Sequence, residues 1–114
     1  MKDTKEYIIC AAIWYKELSL IKPEILEPRG FRPFNVDVGI VFGGWRHGNC
    51  MYQMIALTGK RSCETEVGKY IQGFLTSKNR FVNREEGMKI AIASGQVEEG
   101  KTYNQNKLFS EDLY

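Results

Sequence analysis

Metal centres and disulfide frameworks need residues that this chain largely lacks: its 114 residues include three cysteines and one histidine. Cys10, Cys50 and Cys63 form no C-x-x-C pair. An odd number of widely spaced thiols is expected to stay reduced, which argues against a disulfide scaffold and leaves no ligand set for structural zinc. No apolar run approaches the ~20 residues that cross a bilayer, so no membrane partner is expected. The glycine-rich stretch 43–48 is not followed by the Lys-Ser/Thr of a P-loop, and there is no G-x-G-x-x-G. Nucleoside triphosphatases and dinucleotide oxidoreductases are therefore disfavoured, and no cofactor is implied. A net charge of +2 is small for a protein that tracks long nucleic acid, and no RNA-binding signature is present. The leading segment carries acidic residues and no small-residue cleavage site, so it reads as the start of the mature fold, in a cytosol.

What is present fits one small domain. At this length a single core is possible and two are not. Tyr7–Tyr15, rich in β-branched and aromatic residues, predicts a strand. Residues 19–35 hold all three prolines and predict a long loop that brings Arg29, Phe31, Arg32 and Phe34 together. Val36–Phe42 predicts a second strand with Gly39 inside it. A glycine loop then carries Trp45, Arg46 and His47 into an apolar helix over 50–57, with Asn49 as N-cap and Gly59 as stop. Cys50, Met54 and Leu57 share one helical face, and Met51 and Ile55 another, so this helix is expected to be largely buried. Residues 69–76 predict a third strand. Asn83-Arg84-Glu85-Glu86 is a capping box opening a helix that Gly95 ends, with Gly87 placed for close approach to a neighbour. These elements amount to an α+β fold: one domain over 1–114, a small antiparallel or mixed sheet, and about two helices packed on it.

Charge is unevenly spread. Residues 29–61 carry five cations against Asp37 alone, a local balance of +4, while the last 17 residues stand at −2. A strand, a glycine loop and a helix N-terminus inside the basic segment suit an anion, because backbone N–H groups and the helix dipole both point at it. Arg46 and His47 are the first candidate ligand contacts, with Trp45 able to stack on a ring. Phe74, Asn79, Arg80 and Arg84 form a second group. There Arg80 and Arg84, four residues apart, would clamp one phosphate, Asn79 would donate hydrogen bonds and Phe74 would stack on a base. A nucleophilic pairing of Cys50 with His47 is weaker, since a thiol opening an apolar helix usually fills core. The carboxylate pairs Glu85-Glu86 and Glu111-Asp112 are explained by helix capping and by a polar tail.

YIICAAIWY (7–15), Arg46-His47 followed by Cys50, GFLTSKNRFVNR (73–84), Gly95-Gln96 and LFSEDLY (108–114) together resemble small phage and prophage proteins without assigned function. The resemblance spans most of the chain and implies a site of action in the cytosol of a bacterial host. It also implies an anti-defence or accessory role. The expected function is binding, by sequestration, of a phosphorylated small molecule, a nucleotide. Arg46, His47, Arg80 and Arg84 would neutralise phosphate, Asn79 would hydrogen-bond, and Trp45 or Phe74 would stack. One alternative is an enzyme acting on a nucleotide or ADP-ribosyl group, with His47 as acid/base and Glu86 or Glu111 as its partner. The other is a protein antagonist of a host enzyme, using the aromatic loop 29–34. A homodimer or higher homo-oligomer is the default assembly.

Overall fold

The computed structural model describes residues 5–19, 22, 32–60 and 70–114. They form one antiparallel sheet of four strands, β1 (Ile8–Tyr15), β2 (Ile40–Gly44), β3 (Tyr70–Thr76) and β4 (Phe81–Asn83), in the order β2-β1-β3-β4. Helix α1 (His47–Thr58) follows β2 and helix α2 (Arg84–Ser94) follows β4. A 3-10 turn, Ser110–Asp112, closes the described chain. This is the α+β architecture the sequence predicts, with the sheet antiparallel throughout.

The two-residue period of the strands sorts side chains onto two faces. Ala11, Ile13 and Tyr15 of β1 share a face with Phe42 and Phe74, and both helices lie on it. α1 covers β1 and β2 through Cys50 and Met54; α2 covers β1, β3 and β4 through Met88 and Ala91. Each fully buried large side chain in this layer contributes about 1.5–3 kcal/mol. The opposite face, with Ala12, Trp14, Val41, Leu75 and Phe81, is covered by Val36. Trp14 Nε1 donates to the Val38 carbonyl at 2.8 Å and holds that cover in place.

Side-chain amides stand in for missing strands. The Asn35 amide accepts from Phe81 N at 2.9 Å and donates to Phe81 O at 2.6 Å. Gln96 does the same for Ile8, with both bonds at 2.8 Å. Gln53 Nε2 donates to the Gly43 carbonyl at 2.7 Å. Backbone groups that a sheet edge would leave open are satisfied in this way.

Several expectations need correction. The second strand runs 40–44, not 36–42. Gly39 lies before it at φ 77°, where an added Cβ would sit 2.4 Å from the Tyr15 carbonyl oxygen. Gly43 and Gly44 belong to this strand, opposite Ala12 and Ala11, and not to a loop. α1 starts three residues earlier than predicted: Arg46 is the N-cap, and Asn49 Oδ1 accepts from Arg46 N at 2.8 Å from the N3 position. Nor is α1 largely buried, because Ile55 and Leu57 face solvent. Gly59 (φ 75°) and Gly95 (φ 84°) end the two helices as expected. Gly87 does let α2 approach closely, since a Cβ there would stand 3.0 Å from Phe74. Asn83 Oδ1 accepts from Glu86 N at 2.8 Å, but the Glu86 carboxylate receives Arg80 instead of completing the box. β4 was not anticipated. Of the proline-rich loop, residues 20, 21 and 23–31, with Arg29 and Phe31, lie outside the described residues, as does residue 69 of the third strand.

Candidate functional site

The register fixes where the helices begin. Gly44, Ala11, Phe74 and Val82 form one row across the sheet. α1 begins over that row, with Cys50 Sγ 3.6 Å from the Ala11 carbonyl, and runs toward Tyr15. α2 begins beside Phe74 and runs the other way, so that Gln96 just past its end meets Ile8. The two N-termini therefore meet head to head over the centre of the sheet. Each brings roughly half a positive charge, which raises the local potential before any side chain is counted.

His47 and Arg84 join these ends. His47 is 9% exposed and packs edge-on against Phe74, with ring centroids 5.2 Å apart. Its Nε2–H donates to the Gly73 carbonyl at 2.8 Å, which leaves Nδ1 as the acceptor facing the Arg84 guanidinium at 3.4 Å. Arg84 also donates to Gln72 Oε1 at 2.5 Å and to the Leu108 carbonyl at 2.7 Å, and it lies over the Phe109 ring at 4.4 Å. Burial holds the His47 imidazole below its ordinary pKa, with Arg84 adding to the effect, and the Gly73 hydrogen bond opposing it. Burial likewise lowers Arg84.

That depressed pKa sets the sign of a pH dependence. The unfolded imidazole takes up a proton near pH 6.5, while the folded one resists it. In that window the unfolded chain binds more protons, so stability is present above about pH 6.5 and falls as pH drops toward the folded value. Chemical denaturation between pH 7.5 and 5 should show this loss, and His47→Gln should flatten it. A slope unchanged in that variant would mean that His47 is not the responsible group. Glu6, held below the usual carboxylate range chiefly by its Arg80 hydrogen bond, loses its contribution only at lower pH.

Arg46 lies nearer the surface. Its guanidinium donates to Ser110 Oγ at 3.3 Å and to the Tyr114 main-chain oxygen, with the Glu111 carboxylate 4.0 Å away. The rings of Trp45 and Tyr114 stack at 6.1 Å and 14°, and Arg46 flanks both, 4.6 Å from the first and 5.3 Å from the second. Trp45 is 61% exposed. Nothing lies within 4 Å of a Cβ built on Gly48, and Gly48 and Asn49 form the exposed side of the first turn of α1, opposite the buried His47 and Cys50.

Of the residues singled out in the sequence, Trp45, Arg46, His47 and Arg84 are thus brought into one region. Phe74 lies beneath them, fully buried in the core. Arg80 and Asn79 are elsewhere. Arg80 makes a bidentate pair with Glu6, at 2.7 and 3.0 Å, and reaches Glu86 at 3.1 Å; these carboxylates hold its guanidinium well above its ordinary pKa. Asn79 occupies the left-handed position of the β3–β4 turn (φ 56°), and its amide donates to the Arg32 carbonyl at 3.3 Å. The clamp of Arg80 and Arg84 on one phosphate is therefore not formed in this structure. Glu86 is committed to Arg80, and Cys50 is a buried thiol that burial pushes up to about 12. Sequence reasoning missed Gln72, Ser110 and Tyr114. A polar Gln in the middle of the apolar strand YIQGFLT was the available signal for the first.

Among the described residues no His/Cys/Asp/Glu group could hold a metal ion, and no helix is long and apolar enough to cross a membrane. The chain belongs to the phage T4 y16D protein family, whose model matches residues 7–114. No curated protein and no solved structure matches it.

Proposed function

Taking that membership as the premise, we propose that this chain is a phage accessory protein that binds a phosphorylated small molecule, a nucleotide, without turning it over. The observation that carries this reading is the platform of Trp45, Arg46 and Tyr114 beside the N-terminus of α1. An exposed indole offers a stacking face for a base. A guanidinium beside it and the positive end of a helix suit the attached phosphate. Both ring nitrogens of His47 are engaged within the fold, which favours binding over acid/base chemistry. Sequestering a host signalling nucleotide is the anti-defence role such binding would serve.

The test is titration with cyclic and ADP-ribose nucleotides, read by tryptophan quenching and thermal shift, with mass spectrometry of the recovered ligand. Arg46→Ala should weaken binding by about 10–100-fold, the worth of a charge-assisted contact. Trp45→Ala should cost about 10-fold from lost stacking. The nucleotide should be recovered unchanged. Absence of binding across the panel, or binding indifferent to both substitutions, would remove the reading.

A further inference from the structure

Among the described residues, no carboxylate is bonded to the charge of Arg84. Its three hydrogen-bond partners, Gln72 Oε1, the Leu108 carbonyl and Nδ1 of His47, are all neutral. Glu111 acts on it only through space. Those bonds use Nη1 once and Nη2 twice. The Nε–H and one N–H on Nη1 therefore have no acceptor among the described residues. A cation drawn into a fold is ordinarily paired, so this one is short of a counter-ion.

Beside it lies a cavity of about 230 Å³, lined by Gln72, Asn83, Arg84, Glu85 and Lys107. Gln72 stands on β3 just past its last pair with β4, and Asn83 to Glu85 open α2. Lys107 arrives with the segment that docks at Arg84 through Leu108. The amide nitrogens of the Gln72 and Asn83 side chains and the Lys107 ammonium have no acceptor among the described residues. Four of the five lining side chains therefore offer free N–H groups, against the single carboxylate of Glu85. The volume is below the ~300 Å³ at which pockets for drug-sized ligands begin, so it suits one small group and not a whole nucleotide.

We propose that this cavity binds a phosphate group, with Arg84 and Lys107 as its counter-charges and the Gln72 and Asn83 amides completing its shell. Arg84 meets the anion with Lys107 in place of Arg80, which Glu6 and Glu86 hold. Tetrahedral oxygens can take donors arriving from three pieces of chain, whereas a planar carboxylate takes a fork from one side. The site is separate from the Trp45–Arg46–Tyr114 platform and does not rest on the nucleotide reading.

Titration of the full chain with inorganic phosphate, and in parallel with phenyl phosphate, tests it at constant ionic strength. The readouts are thermal shift and the NMR signal of the Arg84 Nε–H. A saturable response to either ligand is expected, and the tighter of the two tells free phosphate from a monoester. Arg84 itself also holds the fold, so the variants are placed at the rim. Lys107→Glu should weaken binding about 10-fold and Glu85→Gln should tighten it about 3-fold, in keeping with partly exposed charges. Arg46→Ala should leave it unchanged. Absence of a saturable response overturns the proposal, as does binding lost in Arg46→Ala or indifferent to both rim substitutions.

Discussion

Arg84→Ala is expected to destabilise the fold by about 3 kcal/mol, or roughly 12 °C in melting temperature for a domain of this size. The guanidinium serves three acceptors on three separate pieces of chain: Gln72 on β3, Nδ1 of His47 at the start of α1, and the Leu108 carbonyl. Truncation leaves each of these half-buried groups short of its protein donor, and it removes the contact with Phe109. Arg84→Lys should recover less than half of the loss, because an ammonium cannot reproduce the planar fork. The same substitution tests the site. Leu108 N returns a bond to the Arg84 carbonyl at 3.0 Å, so Arg84 is where segment 108–114 docks, and that segment delivers Tyr114 to Trp45. Nucleotide affinity should therefore fall in Arg84→Ala although Arg84 is not part of the platform. Urea unfolding gives the first quantity and tryptophan quenching the second. A stability loss below about 1 kcal/mol would place Arg84 at the surface and undo both arguments.

How far the sequence could carry this reading depends on how local each signal was. Asn83 capping Glu86 N, and Gly59 and Gly95 ending helices, are decided within one turn of chain, and each stands where the sequence placed it. The start of β2 was misplaced because the role of Gly39 is set by Lys16 and the Tyr15 carbonyl, more than twenty residues away. The start of α1 was misplaced because Arg is not a favoured N-cap. Here its amide is satisfied by Asn49 from three residues on, and its guanidinium by the far end of the chain.

The pairing of Arg80 with Arg84 shows the larger difficulty. Four residues apart along a helix they would share a face; across an extended strand the same spacing is about 13 Å. β4, three residues long, lies between them and left no readable period. The sequence therefore showed that arginines and aromatics were plentiful near the phosphate-like signals. It did not show that Arg80 would be taken by Glu6, 74 residues away, or that Tyr114 would come to Trp45.

Gly73→Ala is expected to leave most of the protein unfolded. An added Cβ would lie 2.0 Å from the Val82 carbonyl oxygen and 2.8 Å from Phe81 Cζ. The first of these is backbone, so no rotamer relieves the clash, and β4 has little freedom to withdraw. It is paired to β3 across Gly73–Asn83, Phe74–Val82 and Leu75–Phe81, it runs directly into α2, and both main-chain groups of Phe81 are held by Asn35. Any shift of β3 instead would move the Gly73 carbonyl away from His47 and open the junction of the two helices. The expected cost exceeds about 4 kcal/mol, at the severe end for point substitutions and close to the whole stability of a small domain. Little folded protein should be recovered. Gly48→Ala is the matched control: its Cβ meets nothing within 4 Å, and a helical alanine should be neutral or stabilising by up to about 1 kcal/mol. Purified yield and thermal melts of the two variants side by side decide the matter. A Gly73→Ala protein that melts within a few degrees of its parent would mean that β4 does not lie against β3 at Gly73. The head-to-head meeting of the two helices, which depends on that pairing, would then be wrong as well.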